Sequence, residues 1–164
     1  MRVIVKHFII LFLISSTIFS QVKEISPPDY IKTITFKSKI SNQAELPIIR
    51  LNEPFYLEFD ALVENEPDFY YTIEHYNYNW TESILAKTEF LEGIDNLRII
   101  NYHNSFNTFQ LYSHFRLELP NNQTRQIKLT GNYLITVRDE EDNIVFTRKF
   151  IVYEDLVTID VDVK

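Results

Sequence analysis

From Tyr30 onward the apolar residues recur mainly at every second position, the spacing of strands that bury one face. Ile31 to Lys39 puts Ile34 and Phe36 on one face, and Leu46 to Leu51 follows, closed by Asn52-Glu53-Pro54. Phe55, Leu57 and Phe59 then alternate with Tyr56, Glu58 and Asp60, which predicts two strands joined by a short turn. Phe69 to Asn77 is predicted to be the longest central strand, with Phe69, Tyr71, Ile73 and His75 on one face and Trp80 just past its end. Thr81 to Gln110 shows only short apolar pairs, such as Phe90-Leu91 and Ile99-Ile100, between Asn-rich turns, and predicts short edge strands and long loops. Alternation returns at Phe115, Leu117 and Leu119, stopped by Pro120-Asn121-Asn122. Tyr133, Ile135 and Val137 run to the acidic turn Asp139-Glu140-Glu141-Asp142-Asn143, and Ile144 to Tyr153 returns as the hairpin partner. The pattern predicts no helix beyond a turn or two, and it contains no internal repeat.

The two ends of the chain read differently. Arg2 and Lys6 precede the apolar run Phe8 to Ile14, and Ser15-Ser16-Thr17 leads on to Ser20-Gln21. That is the layout of a secretory signal peptide, with an apolar run too short for the ~20 residues that span a bilayer. Cleavage after Ser20 is expected, making residues 1–20 the leader and 21–156 one β domain. Val157, Ile159, Val161 and Val163 alternate with Thr158, Asp160 and Asp162, so 157–164 reads as a linker or the first strand of a following domain.

One local pattern narrows the fold. Leu129-Thr130-Gly131-Asn132-Tyr133 resembles the tyrosine corner of immunoglobulin-type sandwiches, in which a Tyr near the start of a late strand bonds to backbone a few residues upstream. With Trp80 beside an earlier strand, the expected fold is an all-β, immunoglobulin-like Greek-key sandwich whose structural hallmarks are Trp80, Gly131 and Tyr133.

Composition supports sheets packed by rings, with 13 Phe and 10 Tyr against 2 Gly and 1 Met. Without Arg2 and Lys6 the chain holds 14 basic and 23 acidic residues, a net charge of −9 that repels phosphate backbones and argues against nucleic acid. With no cysteine, the chain can carry neither a thiolate metal site nor a lipoprotein acyl anchor. His75, His103 and His114 are widely spaced and match no metal motif. Asp139, Glu141 and Asn143 superficially suit a calcium loop, but Ile144 stands where that loop needs glycine and Phe150 where it needs its bidentate Glu, so a solvated hairpin tip is expected. Neither a nucleophile elbow nor a glycine-rich phosphate loop is present. No catalytic residue, metal or cofactor is therefore expected, and the chain reads as a non-enzymatic binding domain. Its most distinctive segment is Tyr70 to Trp80, rich in rings and amides, half of which must face away from the core. Tyr76, Tyr78 and Trp80 are accordingly the candidate partner-binding residues.

Taken in order, several segments resemble the N-terminal domain of the plug protein of the type IX secretion system of Bacteroidetes. They are Tyr70-Tyr71-Thr72-Ile73-Glu74-His75 with Trp80, then Gly93, Arg98, Tyr102 and Ser105-Phe106-Asn107-Thr108, then His114-Phe115-Arg116 with Pro120, and Gly131-Asn132-Tyr133. The likeness runs from about Tyr30 to Val157, and departs where the family has a Cys near Tyr76 and an acidic residue near Asn101. It implies a periplasmic protein that docks on the outer-membrane translocon barrel and closes its periplasmic opening, without spanning the membrane. The competing expectation is a carbohydrate-binding module that stacks Tyr or Trp on sugar faces.

Overall fold

Aromatic and β-branched residues at alternate positions favour pleated strands that bury one face, and strands dominate the computed structural model. It describes residues 21–39, 46–63 and 67–156; the expected leader and the 157–164 tail lie outside them. The strands are β1 (Ile31–Ser38), β2 (Ile48–Arg50), β3 (Phe55–Ala61), β4 (Tyr70–Tyr76), β5 (Leu91–Gly93), β6 (Leu97–Arg98), β7 (Tyr102–Asn104), β8 (Ser113–Leu119), β9 (Thr124–Ile127), β10 (Gly131–Arg138) and β11 (Ile144–Tyr153). One helical turn, α1 (Lys87–Phe90), interrupts them.

Two main sheets result, ordered β1-β3-β8-β7 and β2-β11-β10-β4-β6, with β5 and β9 forming a small third sheet. The inner faces meet through rings. Phe36 and Phe55 of the first sheet lie 5.2 and 5.4 Å from Phe150 of the second, and Phe59 lies 5.2 Å from Phe146. Phe69, at the entry to β4, packs edge-on against Phe115 at 4.9 Å. Such offset and edge-to-face pairs add about 1 kcal/mol each to the burial of the rings.

Three expectations change. β2 does not close a hairpin with β3: it pairs in parallel with β11, Ile49 opposite Val152, so the turn at Asn52 carries the chain from one sheet to the other. β4 has seven residues against ten in β11 and is therefore not the longest strand. In β1 the register slips between Lys32 and Thr35, where Thr33 has φ 53°, so Ile31 and Phe36 are the residues buried while Ile34 is only partly so. A bulge of this kind breaks the two-residue period. The β10–β11 hairpin around Asp139–Asn143 forms as its alternation predicts.

Candidate partner-binding surfaces

Strand direction sorts the loops into two poles. Gly131, Tyr76 and Val152 stand together at one end of the second sheet. Tyr70, Arg138 and Ile144 stand at the other. Ala61, Ser113 and Asn104 align at the corresponding end of the first sheet, which the ring contacts of Phe69 join to the start of β4.

The first pole holds the three rings singled out in the sequence. Tyr76 points to the outer face of the second sheet but is only 7% exposed, and burial, reinforced by Glu74 and Glu82, pushes its phenol up to about 12. Little of the residue is open to solvent. After it the chain reverses at Asn77–Trp80: Trp80 N–H donates to the Asn77 carbonyl at 2.9 Å, and Trp80 takes φ 62°, an uncommon value for a bulky residue. Asn132 of β10 holds this turn by donating its side-chain amide to the Asn77 and Tyr78 carbonyls at 2.9 and 3.2 Å. Val22 N–H bonds the Trp80 carbonyl at 3.0 Å. Tyr78 is left 93% exposed, whereas Trp80 is half-buried outside the main core, with the Lys149 ammonium 4.2 Å from its ring centroid.

Gly131 and Tyr133 sit just inside this pole. The Tyr133 hydroxyl donates to the Leu129 carbonyl at 2.8 Å, the bond expected of a tyrosine corner, and burial pushes its phenol far up. Beside it the His75 imidazole lies 5.1 Å from the Tyr133 ring, with its Nδ1 buried and unpaired. Burial lowers the His75 pKa, opposed by a bond with the Thr130 backbone.

The second pole holds exposed rings outside the candidate set Tyr76, Tyr78 and Trp80. Between β7 and β8 the connection Ser105–Tyr112 is braced by Ser105 N–H to the Tyr112 carbonyl at 2.8 Å, Tyr112 N–H to the Ser105 hydroxyl at 2.9 Å, and Thr108 hydroxyl to the Gln110 carbonyl at 2.7 Å. This braced loop presents Phe106, 94% exposed, and a fully exposed Phe109, flanked by Leu111 and Tyr112. The available sequence signal was a gap in charge: no Asp, Glu, Lys or Arg lies between Arg98 and Arg116.

Two of the histidines are closer than their spacing implies. His103 stands opposite His114 across β7 and β8, and His114 Nδ1 is 2.7 Å from the Asp60 carboxylate. Among the described residues no three His, Cys, Asp or Glu converge as metal ligands. In the acidic turn the Asp139 carboxylate accepts from the Glu141 and Asn143 N–H groups at 3.1 and 2.8 Å, capping its own hairpin. No helix among the described residues is long and apolar enough to cross a membrane.

The fold is thus an all-β sandwich with strand connections at its two ends. Residues 31–154 match the family model Type 9 secretion system plug protein 1st domain, and the chain belongs to that family. It is also similar to a hypothetical protein from Parabacteroides merdae ATCC 43184, known from a crystal structure, with 34% identity and a TM-score of 0.73. The match covers 81% of this chain and 34% of that one, so the chain spans about a third of that protein. A second match, to the alkylpurine DNA glycosylase AlkC of Pseudomonas fluorescens bound to DNA containing an abasic site analog, has 12% identity, covers 74% of this chain and 29% of that one, and its TM-score of 0.42 carries no argument. No curated protein matches.

Proposed function

We propose that this chain is a non-enzymatic periplasmic domain that docks on the outer-membrane translocon barrel of the type IX secretion system and closes its periplasmic opening. The observation that carries the reading is the family match over residues 31–154. The architecture suits the task, because a sandwich packed by interlocked rings is a rigid body. A releasable stopper calls for an interface of roughly 1,000–2,000 Å² with a polar rim. The glycan-binding alternative loses support at the Trp80 pole, where Tyr76 is covered and Lys149 lies over the Trp80 ring.

Deleting the gene tests the reading. Entry of a large, normally excluded dye across the outer membrane should rise in the deletion strain, and only while the barrel is present, since the leak needs the pore. Unchanged permeability, together with absence of the barrel from a pull-down of the tagged chain, would overturn it.

A further inference from the structure

We propose that the domain engages its partner through the loop pole, with Phe106 and Phe109 seated in an apolar cleft rimmed by basic side chains on a folded protein. The inference rests on the reading that this partner is the translocon barrel, and it adds which end of the domain enters the contact and what chemistry receives it.

Four observations converge. Phe106 and Phe109 project almost wholly into solvent from a connection held by its own hydrogen bonds, so their exposure is built into the loop and does not reflect fraying. Large exposed rings gathered on one short loop are candidates for an interaction site, and rigid aromatic anchors are the typical hot spots of interfaces.

Charge identifies the receiving surface. The stretch between Arg98 and Arg116 is uncharged, which suits burial in an apolar cleft. At the same pole the exposed Glu140 and Glu141 of the β10–β11 turn carry negative charge, which complements a basic rim. The same carboxylates disfavour an anionic lipid surface, and this selects a protein over a membrane as the occupant.

Chain connectivity points the same way. Val22 bonds Trp80, and Tyr153 ends β11 beside Tyr76 and Val152, so the chain enters and leaves the described domain at the Trp80 pole. Among the described residues the opposite pole consists of connections between strands, so it can enter an opening ahead of the segments that lead into and out of the domain.

The test uses purified translocon barrel, immobilised, and three forms of the chain: unaltered, Phe106→Ser with Phe109→Ser, and Tyr78→Ala with Ile84→Ser, Ile84 being fully exposed two positions past Glu82, which pairs with Tyr76 near the Trp80 turn. Both pairs are exposed, so their thermal midpoints should match the unaltered chain. Loss of the two Phe rings should weaken binding by at least about thirtyfold, as expected for hot-spot anchors. The variant at the Trp80 pole should bind within about threefold of the unaltered chain. Equal binding by the Phe variant, or a loss confined to the Tyr78 variant, would overturn the inference while leaving the docking reading intact. Failure of the unaltered chain to bind the barrel would overturn both. Phosphatidylethanolamine and phosphatidylglycerol vesicles form the last arm: capture that depends on Phe106 and Phe109 would replace the protein partner with a lipid surface and overturn the assignment.

Discussion

A Cβ on Gly93 would lie 1.9 Å from the Gln123 carbonyl oxygen, and one on Gly131 would lie 2.6 Å from His75 Nε2. Both residues also take positive φ, +98° and +145°, so each of the chain's 2 glycines occupies a place that a larger residue would strain. At Gly131 the bare backbone lets the His75 ring lie against the corner that Tyr133 closes. Tyr133→Phe should cost about 1 kcal/mol, the usual contribution of one hydrogen bond, read as a lower urea midpoint at unchanged slope. An unshifted midpoint would show that the hydroxyl bond adds nothing. His75 makes stability depend on pH. Burial holds its folded pKa below the ordinary imidazole value of 6.5, so as pH falls through 6.5 the unfolded chain takes up that proton first. Stability present above that pH is therefore lost below it, and His75→Gln should flatten the fall in urea midpoint between about pH 7 and 5. A parallel fall in both proteins would exclude His75 as the source.

At the scale of elements, Asn132 links β10 to the turn that follows β4, since one amide serves the Asn77 and Tyr78 carbonyls. Asn132→Ala should free the turn without disturbing the sheets, costing about 1 kcal/mol. Amide exchange should quicken at Tyr78 to Thr81 while β10 and β11 stay protected; an unaltered exchange rate in the turn would show that Asn132 is not its support. The elements legible in the sequence were those whose alternation runs unbroken between turn signals, such as β3, β8 and the β10–β11 hairpin. Three-residue β2 was assigned to the wrong neighbour because its partner, β11, lies about a hundred positions away and nothing local encodes that pairing. The slip at Thr33 was equally invisible, because a bulge is chosen by the sheet it joins. Exposure of Tyr78 followed from its place past the end of β4, whereas covering of Tyr76 depends on the folding back of Trp80 and Glu82, which a period count cannot see. The exposure of Phe106 and Phe109 is not legible in the pattern, because short apolar groups among Asn and Ser look like edge strands, and only the missing charges set them apart.

For the whole molecule, seven-residue strands set the two poles roughly 20 Å apart, with the ring-packed core between them. Family membership gives this body a place in secretion, and the polarity of the body gives it a front and a back. The back has a mechanical meaning as well. Val22 is bonded to Trp80, Glu24 accepts from Lys149 N–H, and Ile25 exchanges bonds with Thr147, while Tyr153 leaves from the same end. Tension applied between Val22 and Tyr153 therefore opens these contacts one after another, as a zipper does, in place of shearing a whole ladder at once. On the Val22 side the pull is relieved by peeling the leading segment from β11, on the Tyr153 side it falls first on the short pairing with β2, and the turns at the far end stay where they are.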